Sequence, residues 1–251
     1  MTPDERPVPG RLYGVGVGPG DPEWLTLAAL RVLVRAPTVA YPAAPGGAEG
    51  FAYRIVRTFL DPARQELLPL AFPMTREPAA LEAAWDHIAD EVARRLSTGR
   101  DVAFVTEGDP LLYSTFVPLR ERLSRRCPEA PIEVVPGVPS FAAAAARLGW
   151  ALGRGDERLA VVPATDDREA LRAVLEQFDT VVLLKVAKVL DPVLDLLEEM
   201  GLLGGAAVLS HVGGPAERVE RTVARLKGER LPYMTLMVVR TGRSRAEVGA
   251  P

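Results

Sequence analysis

Three short stretches gather residues that could hold a polar ligand against bare main chain. The first, GVGVGPGDPEWLTLAAL at residues 14–30, follows an apolar run and leads into a helical pattern. That is the setting in which glycine-rich loops hold phosphates. Its spacing excludes two common uses. A dinucleotide site wants G-x-G-x-x-G, but counting from Gly14 or Gly16 the sixth residue is Pro19 or Asp21. A phosphate loop wants Gly-Lys before Ser or Thr, and the chain has no Gly-Lys pair. What remains is a tight turn, Gly18-Pro19-Gly20, then Asp21 as an N-cap with Pro22 at the first helical position. Such a turn also serves simply to join a strand to a helix.

The second stretch, TEGDPLLYST at residues 106–115, repeats the Gly-Asp-Pro grammar after another apolar run. It carries two carboxylates, Glu107 and Asp109, with no basic residue adjacent. Asp109-Pro110 reads as a second cap and first turn, which puts Tyr113 one helical turn beyond Asp109. Two such turns at strand ends of one domain point to a shared cleft, because ligands of open α/β sheets bind beyond those ends. The third stretch, EVVPGVPSFAAAAA at residues 133–146, turns at Pro136-Gly137 into a helix of small residues. Small side chains let a ligand or another backbone approach, and they also suit ordinary helix packing.

These stretches need a frame that brings strand ends together. Strands are expected at 12–17, 38–41, 66–70, 102–106 and 132–135, and again at 159–162, 180–184, 206–210 and 233–239. VAFVT at 102–106 is apolar nearly throughout, as a strand covered on both faces must be. Helices fit at 79–96, 168–177, 189–200 and 215–227; in the first, Leu81, Ala84, Trp85, Ile88, Val92 and Leu96 follow one helical face. This alternation predicts α/β architecture with a parallel sheet. The boundaries expected are an N-terminal domain at 10–137, a linker at 138–154 and a C-terminal domain at 155–240. The residues before Gly10 and after Arg240 are expected as disordered tails.

Composition narrows the chemistry. With two histidines, His87 and His211, and one cysteine, Cys127, the chain has neither thiolate clusters nor a histidine-rich metal site. His87 falls on the polar side of a helical pattern, whereas His211 follows a buried-looking run and suits a cleft. A net charge of −3 gives no basic excess for nucleic acid or an anionic membrane. Apolar runs fall short of the ~18–20 residues that cross a bilayer, and the start MTPDERPVPG is polar. A soluble cytoplasmic protein is expected.

GVGPGD, GDPLLYST and EVVPG, in this order and spacing, resemble the tetrapyrrole methylase family over nearly the whole chain. LAFPMTRE, VAFVTEGDPLLYSTF and VVLLKVAKV resemble its branch that methylates C20 of precorrin-2 or cobalt-precorrin-2. The resemblance implies two α/β domains, the first mainly parallel with helices on both faces, the second with a mixed sheet. It implies a homodimer with S-adenosyl-L-methionine as co-substrate, a tetrapyrrole as partner, and no metal required by the protein. Cofactor contacts carry over to Pro19, Gly108, Asp109, Leu112 and Ser140, and further along to Lys185 and Val186. Pro139 departs from the family pattern, which has threonine there, so a hydroxyl and an N–H are missing.

Methyl transfer to an electron-rich carbon needs alignment and a proton acceptor more than a nucleophile–base triad. Glu107, Asp109, Tyr113 and His211 are the acceptor candidates, and the sequence does not choose among them. Eight substrate carboxylates call for cations. Arg54, Arg57, Arg76 and Lys185 stand near expected loop ends, although solvated surface arginines read the same way. The competing readings are a family member acting at another carbon and a non-catalytic module that binds an adenosyl ligand.

Overall fold

A computed structural model of the chain describes residues 8–43, 49–72 and 77–242. The chain divides into two units, Met1–Pro139 and Ser140–Pro251. In the first, five strands alternate with helices: β1 (Leu12–Gly16), α1 (Leu27–Arg35), β2 (Thr38–Ala43), α2 (Phe51–Val56), β3 (Glu66–Ala71), α3 (Pro78–Ser97), β4 (Val102–Thr106), α4 (Phe116–Arg126) and β5 (Ile132–Val135). All pairings are parallel, in the order β3-β2-β4-β1-β5.

The two-residue period of the strands sorts their side chains to two cores. Leu12, Ala40, Val102 and Phe104 face one side and meet Ile88, Val92 and Leu96 of α3 with Phe116, Leu119 and Leu123 of α4. Val15, Val39, Tyr41, Ala103 and Val105 face the other and meet Ala29 and Leu33 of α1 with Ile55 and Val56 of α2. Helices therefore cover both faces, which explains why all five residues of β4 are buried. Each large apolar side chain so buried contributes ~1.5–3 kcal/mol.

The second unit holds α5 (Ser140–Leu148), β6 (Leu159–Pro163), α6 (Arg168–Gln177), β7 (Thr180–Leu184), α7 (Leu190–Glu199), β8 (Ala206–Ser210), β9 (Arg218–Glu220) and β10 (Thr235–Arg240). Its sheet runs β6-β7-β10-β8-β9 and is mixed. β6 and β7 are parallel, while β10 is antiparallel to both β7 and β8. Val181, Leu183, Val208 and Met237 pack on α6 and α7. The segment expected as a linker contains α5, which belongs to this unit and packs on β10.

Four expectations are corrected. Residues 215–227 are not a helix; they form β9 and a 3₁₀ turn at Val223–Leu226. Val219 and Val223 do sit at helical spacing, but pairing Val219 with Leu209 covers the open edge of β8, and the long-range ladder wins. Asp21 caps only the 3₁₀ turn Pro22–Trp24, and α1 starts later, capped by the Thr26 hydroxyl. The helix expected at Pro110 begins instead at Phe116, after a turn. Of the tail expected after Arg240, Thr241 is docked, its amide and hydroxyl bonded to the Asp179 carbonyl and its hydroxyl also to that of Phe178. Residues 1–7 and 243–251 of the expected tails, and Arg76, lie outside the described residues.

Candidate functional site

β1 and β4 lie in register, Gly16 opposite Thr106. Their outgoing connections diverge, β1 leading across to β2 and β4 leading back to β5. Such a switch point is where an open parallel sheet offers a crevice beyond its strand ends. Here the crevice floor is main chain. The Val17 amide donates to the Thr106 carbonyl at 3.0 Å, and the Gly108 amide to the Gly18 carbonyl at 2.9 Å. The loop after β5 arrives at the same point. A Cβ on Gly137 would fall 2.1 Å from the Gly108 carbonyl oxygen, and one on Gly16 would fall 2.6 Å from the Gly137 nitrogen. No other residue type fits at either position without moving the backbone.

Asp109 fastens this junction. Its Oδ1 accepts from the Leu111 amide at 2.9 Å, and its Oδ2 accepts from the Gly137 amide at 3.1 Å. Thr26 adds a longer tie, its hydroxyl donating to the Pro136 carbonyl at 3.4 Å. Ser114 closes the far end of the β4 loop: its Oγ lies 2.8 Å from that of Thr106 and accepts from the Phe116 amide at 3.0 Å.

Within the first unit the structure thus brings Gly108 and Asp109 against the loop that carries Pro19, which is buried. Leu112 is partly buried, and Tyr113 is 52% exposed. Glu107, the first residue past β4, is partly buried, and among the described residues no hydrogen-bond donor reaches its carboxylate. Burial pushes its carboxyl up to about 7, against a smaller downward pull from Arg54. In the second unit Ser140 opens α5, and Lys185 follows β7 directly, exposed, with Val186 buried beside it. His211 follows β8, its amide bonded to the Met234 carbonyl at 2.8 Å.

Backbone strain marks the same loops. Among the described residues, the non-glycine residues with left-handed φ are Tyr113 (51°), Lys185 (59°) and His211 (49°). Lys185 and His211 directly follow β7 and β8, and Tyr113 lies in the loop between β4 and α4; such conformations persist where surrounding structure enforces them.

Beside β4, Tyr41 of β2 stacks on Tyr53 of α2 with ring centroids 4.4 Å apart, and burial raises the Tyr41 hydroxyl pKa. Arg54, exposed, leans over the Phe51 ring at 5.4 Å. Arg57 is paired with Glu49 at 3.1 Å, so it is not an uncommitted cation. His87 lies exposed on α3. The described residues contain no group of three or more His, Cys, Asp or Glu that could hold a metal ion, and no helix long and apolar enough to cross a membrane. Sequence reasoning missed Gly16, Gly137 and Ser114 as site residues. Strand-end glycines in three successive stretches are the signal that could have pointed to the first two, whereas Ser114 left no such mark.

The fit to an adenosyl ligand rests on this junction. Glycine main chain at Gly18 and Gly108 leaves room for close approach. Comparison with known proteins points the same way. Residues 11–227 match the family Tetrapyrrole (Corrin/Porphyrin) Methylases. The chain is 35% identical over 231 residues to the cobalt-precorrin-2 C(20)-methyltransferase of Salmonella typhimurium, covering 92% of this chain and 96% of that one. It is 34% identical to the precorrin-2 C(20)-methyltransferase of a Sinorhizobium species, over 92% and 95% of the two chains. A solved structure, uroporphyrin-III C-methyl transferase from Thermus thermophilus complexed with S-adenyl homocysteine, superposes with a TM-score of 0.66 at 25% identity, over 93% and 99% of the chains.

Proposed function

The chain belongs to the tetrapyrrole (corrin/porphyrin) methylases, and from that premise we propose that it methylates C20 of precorrin-2, or of its cobalt form, on the route to cobalamin. The observation that carries this reading is the identity of about a third, sustained over nearly all of both chains, to two enzymes named for that carbon.

When bound, S-adenosyl-L-methionine supplies a methyl group already activated by the sulfonium charge. The protein's share is alignment, which alone can lower a bimolecular barrier by ~7–11 kcal/mol. We assign cofactor contacts to Pro19, Gly108, Asp109 and Leu112 in the first unit, and to Ser140, Lys185 and Val186 in the second. The fixed main chain at Gly18 and Gly108 suits this role, because a rigid strand end holds a reactant more closely than a free loop does. Arg54 and Lys185 are the cations we assign to substrate carboxylates, since both are exposed, the first on α2 and the second directly after β7.

Incubation with S-adenosylmethionine and enzymatically made precorrin-2, with and without cobalt, tests the reading. The product should be one methyl heavier, with the new carbon on C20; a methyl at C11, C17 or another ring carbon would overturn it. We further assign a cytoplasmic homodimer with no metal of its own. Light scattering should give twice the 27.0 kDa chain mass, and exhaustive chelation should leave turnover of metal-free precorrin-2 unchanged.

A further inference from the structure

We propose that Glu107 is the group that takes the proton from C20 once the methyl has arrived, acting from the C-terminal end of β4 beside the Gly18–Gly108 bridge. This rests on the C20 reading above.

The reaction leaves a proton to place. A carbon–carbon bond forms between the methyl and C20, and the sulfur–carbon bond breaks with its electron pair going to sulfur. C20 then holds both hydrogen and methyl, with positive charge on the conjugated ring nitrogen. Breaking the C20–H bond returns its pair to the π-system and releases one proton, which the Glu107 carboxylate accepts to become the acid. No oxidant or further reactant is needed.

Position selects this carboxylate over its neighbours. Asp109 has both oxygens accepting from main-chain amides of the junction, which makes it the poorer proton acceptor. Tyr113 is half exposed and lies seven residues beyond the end of β4. Glu107 alone follows β4 directly, between two points fixed by main-chain bonds: the Thr106 carbonyl to the Val17 amide, and the Gly108 amide to the Gly18 carbonyl. Its main chain is therefore held in place at the strand end.

Its surroundings also fit. A carboxylate taken from water with no hydrogen bond in return is costly, and such groups concentrate where proton transfer is needed. Among the described residues Arg54 on α2 is the charged group that acts on it, and burial outweighs that pull. The carboxyl therefore changes charge near neutral pH, where a base strong enough to take a proton can also release it to solvent.

The test compares the parent with Glu107→Gln, Glu107→Asp and Arg54→Met, using precorrin-2 carrying hydrogen or deuterium at C20. For the parent, kcat should rise with pH through about 7. Glu107→Gln should lose roughly 100-fold or more in kcat, the range of general-base effects, and lose that rise. Its binding of S-adenosylhomocysteine, measured calorimetrically, should stay within about threefold, since only the proton-transfer step is removed. A primary isotope effect at C20 should grow in Glu107→Gln, and Glu107→Asp should recover part of the rate. Arg54→Met should move the rise to higher pH. Without any ligand, the parent's melting temperature relative to Glu107→Gln should fall as pH rises from about 4.5 toward 7. A folded Glu107→Gln protein with parental kcat and pH profile would overturn the assignment while leaving the C20 reading intact. A parent product methylated elsewhere would overturn both.

Discussion

Replacing Asp109 by asparagine removes one acceptor from a side chain that uses two. The carboxylate receives the Leu111 amide on one oxygen and the Gly137 amide on the other. Asparagine keeps a single oxygen, so whichever amide it serves, its NH2 group must face the other donor. Hydrogen bonds to a charged group contribute ~1.5–3 kcal/mol each, and an unsatisfied donor costs ~1–3 kcal/mol. Partial exposure lets water meet the orphaned donor, so Asp109→Asn should cost about the one lost bond, ~1.5–3 kcal/mol, and Asp109→Ala somewhat more. For a chain of this size that corresponds to a fall of roughly 3–12 °C in Tm. Urea unfolding at pH 7, followed by circular dichroism, gives the difference directly. If the aspartate served only its own turn, asparagine would replace it with little loss, because both residues are good local acceptors. An asparagine variant unfolding at the parental urea midpoint would therefore refute the tie to Gly137 and leave glycine packing and the Thr26 tie to hold the loop after β5.

Gly137→Ala should cost ~1–3 kcal/mol through overpacking against the Gly108 carbonyl, and weaken S-adenosylhomocysteine binding in calorimetry at least tenfold. Gly14→Ala drives a Cβ to 2.3 Å from the Phe116 ring; its unfolding cost should shrink by ~0.5–3 kcal/mol in a Phe116→Leu background, as a double-mutant cycle measures. The Arg95 guanidinium, hydrogen-bonded to Glu66, holds that carboxyl below the usual carboxylate range. The resulting stability is present above the unfolded value and lost as pH falls through the folded one, so the ~1 kcal/mol penalty of Glu66→Gln at pH 7 should vanish in acid. Glu107 has the opposite sign, with a folded value raised from 4.5 to about 7. Glu107→Gln should therefore stabilise the protein above pH 7, by up to ~3 kcal/mol, and not at all below pH 4.5.

Strands that are continuous apolar runs bounded by turn residues are legible in the sequence. VAFVT, TVVLL and AAVLS occupy the positions read for them, and the β–α alternation gives the architecture. What escapes are decisions taken between distant residues. Residues 215–227 carry apolar side chains at helical spacing, and only the open edge of β8 makes part of them a strand. The Asp109-Pro110 pair has the composition of a helix start. The left-handed Tyr113 delays that helix to Phe116, and nothing in the local sequence announces it. For the candidate site, the three stretches are visible as separate turns. Their meeting depends on the strand order β3-β2-β4-β1-β5 and on a bond from Asp109 to Gly137 across 28 positions, neither of which has a local signature. Glu107 is visible as a carboxylate, but its desolvation depends on what folds around it.

The place of β10 sets a schedule for synthesis. It lies in the middle of the second sheet, between β7 and β8, yet among the described residues it is the last of that sheet's strands to be made. The first sheet has all five strands once Val135 has emerged. The second remains two fragments, β6 with β7 and β8 with β9, each with an exposed apolar edge, until Thr235–Arg240 arrive to join them. Unpaired edges of this kind recruit other chains. A chain lacking Thr235–Arg240 would thus carry a finished first unit tethered to an aggregation-prone second one, and chaperone demand during translation should peak until this strand has emerged.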